Sequence, residues 1–329
     1  MQLLYIYFMN HYKKLLVHAV CLLCMTAVHA QKTFTPSFKV VPLGVKGGSD
    51  ESNLSSYMLA ATASNDYVCL DAGTVDYGIQ KAIQAGIFHE TEPVVLKKYI
   101  KGYLISHPHL DHVAGLIINS PDDTSKNIYA LPFCTEVLKE KYFSWKSWAN
   151  FADDGEKPML NKYHYKVLNA NEETPIEHTN LFVTAFTLSH SNPYKSTAFL
   201  IRQADAFILY LGDTGADTTE HTDNLKQLWQ HIAPLIKEKK LKAIFIETSF
   251  SNEQPDKLLF GHLTPRLLMQ EIDALAQLTG SNSLQGFSIV ITHEKPSGNR
   301  EALIKNQLLQ LNKYKLKLIF PMQGKQLLF

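Results

Sequence analysis

Residues 106–121 read SHPHLDHVAGLIINSP: three imidazoles and a carboxylate fall within six positions, and an apolar run follows at once. The segment before it, GYLIS at 102–106, is rich in aromatic and β-branched residues and reads as a strand. His107 and His109 then project from a strand end into a loop, while Asp111 and His112 open a helix. Nitrogen and carboxylate donors packed this densely are expensive to bury unless a cation compensates them. Imidazole with carboxylate suits zinc or a similar transition metal. The pairs His107 with His109 and Asp111 with His112 point to two adjacent divalent ions rather than one.

Outward from this stretch, the same context recurs. Further strands are expected at YVCL, LFVTAFTLS, TAFLI, AFILYLG, KAIFIET, FSIVIT and the final LKLIFPMQGKQLLF. His190 follows LFVTAFTLS, Asp213 follows AFILYLG, and His293 follows FSIVIT, so each stands where a strand ends. Singly, such a histidine reads as structural and the Asp of GDTG as a turn former. Their shared placement beside the first cluster makes them the missing ligands. Three imidazoles, His107, His109 and His190, would then hold one metal; Asp111, His112 and His293 would hold the other, with Asp213 bridging.

The chain has 329 residues, 45% hydrophobic and 19% charged, enough for a substantial core. Lys and Arg total 32 against 31 Asp and Glu, a net charge of +1 that offers no basic field for long nucleic acid and leaves a compact substrate as the expectation. Helical patterns run through LTPRLLMQEIDALAQLTG, with Thr264 as N-cap, Pro265 at the first position and a stop near Gly280, and through NREALIKNQLLQLNKY and NLKQLWQHIAPLIKEKK. No Gly/Ser/Pro-rich linker divides the chain, so a single domain over 31–329 is expected, with 122–177, rich in Trp, Tyr and Lys, as an insertion over one face. At the N-terminus, Lys13 and Lys14, the apolar LLVHAVCLLCMTAV and the small-residue exit before Gln31 form the pattern of a secretory signal peptide over 1–30, with Met9 as an alternative start. Its 14-residue apolar run is short for a span of roughly 20. The expectation is export across the inner membrane to the periplasm, with no stable span after cleavage. Cys69 and Cys134 alone remain beyond the signal, which excludes a disulfide framework. The oligomeric state, a dimer included, is left open.

HPHLDH resembles the H-x-H-x-D-H motif of the metallo-β-lactamase superfamily, and His190, Asp213 and His293 match its later metal-binding motifs in order. The longer HPHLDHVAGLIINSP is similar to the signature of the class II cyclic-nucleotide phosphodiesterases, in which H-x-H-L-D-H is followed by an apolar stretch ending in Ser-Pro. The resemblance implies an α/β fold, a four-layered αββα sandwich with a dinuclear site at one edge. It also implies hydrolysis of cAMP, cGMP or both to nucleoside 5′-monophosphates by a metal-bound hydroxide. Asp71 and Gly73 in LDAGT resemble the early strand-turn of that fold, where the Asp supports the metal loop. Glu247 in FIETSF and His262 in FGHLTP resemble the Glu and His of the phosphodiesterase branch, where such a pair orients a proton near the scissile phosphate.

On this reading His262, held by Glu247, protonates the leaving 3′ oxygen, and Asp111 helps position the nucleophile while binding metal. His89, His164, His178, His221 and His231 lie in polar or helical settings and are read as surface or satisfied histidines. A tRNase Z-like ribonuclease would share nearly all the ligands, but the signal peptide and near-neutral charge argue against a tRNA substrate. A lactonase or β-lactamase is disfavoured by the Ser-Pro signature with Glu247 and His262. A non-enzymatic metal-binding protein would have no use for a proton donor beside the ions.

Overall fold

The computed structural model describes Met9 and residues 35–329, so apart from Met9 the proposed signal peptide lies outside the described residues. The strands in chain order are β1 (Phe38–Gly44), β2 (Ser56–Ala61), β3 (Tyr67–Leu70), β4 (Ile100–Leu104), β5 (Lys126–Ala130), β6 (Tyr163–Val167), β7 (Glu173–Ile176), β8 (Leu181–Ser189), β9 (Lys195–Gln203), β10 (Ala206–Leu211), β11 (Leu241–Glu247), β12 (Ser288–Thr292), β13 (Lys317–Ile319) and β14 (Leu327–Leu328). Pairing sorts them into two seven-stranded sheets, ordered β14-β1-β2-β3-β4-β5-β6 and β13-β12-β11-β10-β9-β8-β7. Alternating side chains explain the layering. One set, including Val40, Tyr57, Leu59, Val68, Phe199, Ile208, Phe245 and Val290, comes from both sheets and fills the space between them. The other face of the first sheet packs on Ile79 and Ala82 of the helix Asp76–Gln84 and Val113 and Leu116 of the helix Leu110–Asn119. The other face of the second packs on Leu228, Trp229 and Ile232 of the helix Asn224–Lys237, and Leu268, Ile272 and Leu275 of the helix Pro265–Thr279. The result is the four-layered αββα sandwich. Pro36–Phe329 clusters as one compact unit.

The direction of the strands positions the site. β3 pairs parallel with β4 and β4 with β5, while β10, β11 and β12 are mutually parallel. β8 and β10 both run antiparallel to β9, so their C-terminal ends lie on the same side. Open α/β sheets place ligands outside the carboxyl ends of their strands, and here β4, β8, β10, β11 and β12 all open their C-terminal loops there. The helix Pro265–Thr279 begins as its sequence dictates: Thr264 caps it by accepting from Leu267 N, Pro265 occupies the first turn, and Gly280 ends it at φ +81°.

Two expectations are corrected. The final segment is not one strand but two, β13 and β14, on opposite sheets, because Pro321 and Gly324, at φ +75°, break the run between them. Residues 122–177 do not simply overlie a face, since they supply β5 and β6 to the edge of one sheet and β7 to the edge of the other. Cys69 and Cys134 are free and buried. Among the described residues no helix is long and apolar enough to cross a membrane.

Candidate active site

At the sheet ends the structure brings all seven sequence-expected ligands together in two overlapping sets. His107, His109, His190 and Asp213 place donor atoms within 4.8 Å of one another, and so do Asp111, His112, Asp213 and His293. Asp213 alone belongs to both. Four of the five imidazoles are aimed by a bond to the outer nitrogen. His107 Nδ1 meets Ser106 Oγ at 3.0 Å, His112 Nδ1 donates to Asp71 Oδ2 at 2.8 Å, His190 Nδ1 donates to Gly261 O at 2.9 Å, and His293 Nδ1 donates to Ser249 Oγ at 3.0 Å. Their Nε2 atoms are thereby left to face inward. His109 differs, turning Nδ1 to within 3.1 Å of His107 Nε2.

Asp71 holds the first half of the site together. Fully buried at the turn after β3, with φ +54°, it accepts from Ser106 N at 2.7 Å, Ser106 Oγ at 2.8 Å and Tyr210 OH at 2.7 Å besides His112. Gly73 is required by close approach: a Cβ there would lie 2.1 Å from the carbonyl oxygen of Asp111.

The donor chemistry fits divalent cations. His112 Nε2 is buried without a hydrogen-bond partner, 3.3 Å from Asp213 Oδ1; burial would lower this imidazole, but the Asp213 and Asp71 carboxylates hold it well above its usual range, a demand for positive charge that an ion would meet. Burial pushes the imidazole of His107 well below its usual range and that of His190 down to about 4, so both present neutral nitrogens. Burial alone would raise the Asp213 carboxyl, but the imidazoles of His293 and His112 outweigh it and hold it well below the ordinary carboxylate range. Neutral imidazoles, as at His107 and His190, and an ionised carboxylate, as at Asp213, are the forms that bind metal, and a cation between His112 and Asp213 would take the place of the imidazole proton.

Glu247 and His262 stand against the second set. Glu247, the last residue of β11, is fully buried and accepts from Thr214 N at 3.1 Å, Ser249 Oγ at 2.6 Å, Leu263 N at 3.2 Å and His262 Nδ1 at 2.7 Å. Burial would lower the His262 imidazole, but the Glu247 carboxylate overcomes it and raises it above its usual value. The ring lies nearly parallel to that of His293, with centroids 5.4 Å apart, and its Nε2 points away from Glu247 to Lys295 Nζ at 2.8 Å.

Sequence reasoning missed several parts of this arrangement. Ser249 joins Glu247 to His293, Tyr210 reaches Asp71 from the other sheet, Gly47 lets the loop after β1 cross the His293 ring, and Lys295 meets His262. None lies in a dense motif; the only signal was proximity in sequence, Ser249 two residues from Glu247 and Lys295 two from His293. His89, His178, His221 and His231 are exposed, and His164 is half-buried between Ser125 and Asp153; none of them approaches the site.

The geometry has counterparts in known proteins. The model of the class-II cAMP phosphodiesterases matches residues 38–318. A 3′,5′-cyclic-nucleotide phosphodiesterase of Aliivibrio fischeri is 40% identical over 94% of this chain and 98% of its own. A probable 3′,5′-cyclic-nucleotide phosphodiesterase of Yersinia pestis is 37% identical, covering 88% of this chain and 89% of its own. Among solved structures, unliganded yeast PDE1 superposes with a TM-score of 0.79 at 22% identity over 90% of this chain and all of that one. The metallo-β-lactamase fold protein YhfI of Bacillus subtilis superposes with a TM-score of 0.58 at 15% identity, covering 88% of this chain and 99% of that one.

Proposed function

The chain belongs to the class-II cAMP phosphodiesterases, and from that premise we infer that it is a metal-dependent hydrolase of 3′,5′-cyclic nucleotides that opens the cyclic phosphodiester to a nucleoside 5′-monophosphate. The observation that carries the reading is the pair of donor sets sharing Asp213, with a Glu247–His262 pair abutting them. His107, His109, His190 and Asp213 would hold one divalent cation, and Asp111, His112, Asp213 and His293 a second, with zinc the first expectation for an imidazole-rich set. When bound, such ions supply Lewis-acid polarisation of phosphoryl oxygens and a water of lowered pKa.

The remaining work falls to the protein's own groups. Water adds to phosphorus, the bond from phosphorus to the 3′ oxygen breaks, and that oxygen must take up a proton. His262 is built to deliver it: Glu247 takes Nδ1–H, fixing the ring and stabilising its charged form, and Nε2 serves as the donor to the 3′ oxygen. Asp111 Oδ2 accepts from Gly48 N at 2.9 Å, which leaves Oδ1 to accept from the attacking water and orient it.

The test is an assay of the purified protein against cAMP, cGMP, a linear dinucleotide and a β-lactam, with metal content measured on the same sample. Turnover of a cyclic nucleotide with about two metal equivalents is expected; turnover of only the dinucleotide or the β-lactam overturns the assignment. Export to the periplasm is supported by the basic flank, apolar run and small-residue exit within 1–30. N-terminal sequencing should begin near Gln31, and Met1 or Met9 retained on a cytosolic enzyme rejects export.

A further inference from the structure

Next to the His262 imidazole stands a cation without an anion. Lys295 Nζ reaches His262 Nε2 at 2.8 Å, and among the described residues no carboxylate forms a salt bridge with it. Arg300 is in the same condition: its Nη1 donates to Lys295 O at 3.3 Å, and among the described residues no carboxylate forms a salt bridge with it. Both cations lie over the ring of Phe250, at 5.5 and 5.2 Å from its centroid, and that ring is itself 5.7 Å from His262.

The chain carries the acids that could neutralise them and uses those acids elsewhere. Glu294 directly precedes Lys295, and Glu301 directly follows Arg300. Both turn to Lys46, on the loop after β1, at 3.1 and 2.6 Å. One lysine thus holds two carboxylates while a lysine and an arginine at the edge of the site hold none. In a protein of net charge +1, this is local segregation of charge rather than a general basic surface. A half-buried ammonium whose polar partner is an imidazole nitrogen is under-satisfied, since it carries three donors and favours anionic acceptors.

We propose that Lys295 is the phosphate anchor of the site, its ammonium holding a non-bridging oxygen of the substrate phosphodiester beside His262, with Arg300 farther out drawing the anion in. This rests on the phosphodiesterase reading and assigns a residue that no metal-binding motif contains. It also orders the events at His262. An anionic oxygen competes with the imidazole for the ammonium and, in winning it, frees the Nε2 lone pair to take a proton from water, the proton it then carries to the 3′ oxygen. Phosphate binding and release of the proton donor are then one movement.

Because the anchor meets the phosphate in ground and transition states alike, its loss should appear chiefly in KM. Lys295→Met keeps the unbranched chain as far as Cε and removes the ammonium. With metal restored to wild-type level, this variant should bind inorganic phosphate, measured by calorimetry, about 10- to 100-fold more weakly, the range for a hydrogen bond to a charged group. KM for cAMP should rise by a similar factor while kcat changes by less than about threefold. Lys295→Arg should restore phosphate affinity to within about threefold of wild type. Unchanged phosphate affinity in Lys295→Met overturns the proposal, as does a loss confined to kcat, which would make the lysine a tuner of His262 only. Should Lys295→Met lose metal or melt early, Lys295→Arg decides: retained phosphate affinity supports the anchor, and a loss overturns it. A wild-type protein that binds phosphate through Lys295 but turns over no cyclic nucleotide would sink the proposed activity and leave the anion site standing.

Discussion

The two halves of the molecule build the same site in opposite ways. The N-terminal sheet delivers His107 and His109 from the turn after β4 and Asp111 and His112 from the first turn of the helix Leu110–Asn119, and Asp71 clamps that segment from the neighbouring strand end. The C-terminal sheet delivers one group per strand: His190 after β8, Asp213 after β10, Glu247 at the end of β11 and His293 after β12. In the first half, local hydrogen bonds set the geometry. In the second, it is set by strand register, parallel from β10 to β12 and carried to β8 through the antiparallel β9, so each group depends on packing across the whole sheet.

Asp213, where the halves meet, should give the largest effect. Among the described residues it is the one carboxylate that belongs to both donor sets. Asp213→Ala should leave a folded protein, bind fewer than about two metal equivalents, and lose activity by about 10⁴-fold or more. Full activity, or two tightly held ions, would show that the halves do not share a bridge. His262, from the C-terminal half alone, should come next. His262→Ala should keep its metals and lose about 10²- to 10⁴-fold in turnover of cAMP, with a smaller loss for a p-nitrophenyl phosphodiester whose leaving group departs without a proton. Equal losses on the two substrates would reassign the imidazole to charge stabilisation.

Gly47 tests how closely the N-terminal sheet governs His293, from the C-terminal half. A Cβ at this position would stand 2.2 Å from His293 Cε1, and Gly47 N donates to Glu294 O at 3.2 Å, so the loop cannot simply lift away. Gly47→Ala must displace the His293 ring, and a displacement of about 1 Å costs on the order of 10²-fold in rate. Wild-type kcat/KM in this variant would mean that the loop yields and the halves are mechanically independent at this point.

The same contrast explains what the sequence disclosed. The cluster from His107 to His112 was legible because four chemically unusual residues share one strand-to-helix turn, where the fold needs no further information to bring them together. His190, Asp213 and His293 were legible through context, each following an apolar run at its end. Ser249, Tyr210, Gly47 and Lys295 were not, because a serine, a tyrosine, a glycine or a lysine has dozens of ordinary uses and only pairing across strands gives these four their neighbours. Tyr210, for example, reaches Asp71 across 139 positions of sequence. Strand reading failed in a similar way. β1 carries Pro42 and takes its partners from β2 and β14, so it lacks the uninterrupted β-branched signal that marked β8 and β12.

The smallest predicted effect compares buried carboxyls far from the chemistry. In the N-terminal half Asp123 is compensated: Lys126 contacts it directly, and Tyr103 OH and Tyr163 OH donate to Oδ2 at 2.7 and 2.9 Å. In the C-terminal half Glu271 joins two helices without a salt bridge among the described residues, accepting from Trp229 Nε1 at 3.0 Å and Asp217 N at 3.1 Å. Burial pushes the Glu271 carboxyl above the usual glutamate value, and the Trp229 hydrogen bond only partly offsets it. A carboxyl raised in the folded state holds its proton more tightly there than in the unfolded chain. Its contribution is therefore fully present below the unfolded value, near 4.5, and is lost as pH rises through the folded value. Glu271→Gln has no proton to lose. Whatever the amide costs in hydrogen-bond geometry is the same at every pH, so the melting temperature of the variant minus that of wild type should climb, by a few degrees at most, as pH rises from about 4 to about 7. A flat difference would mean that the two helix contacts already compensate the carboxylate as fully as Lys126 compensates Asp123, and a falling one would reverse the assigned direction of the shift.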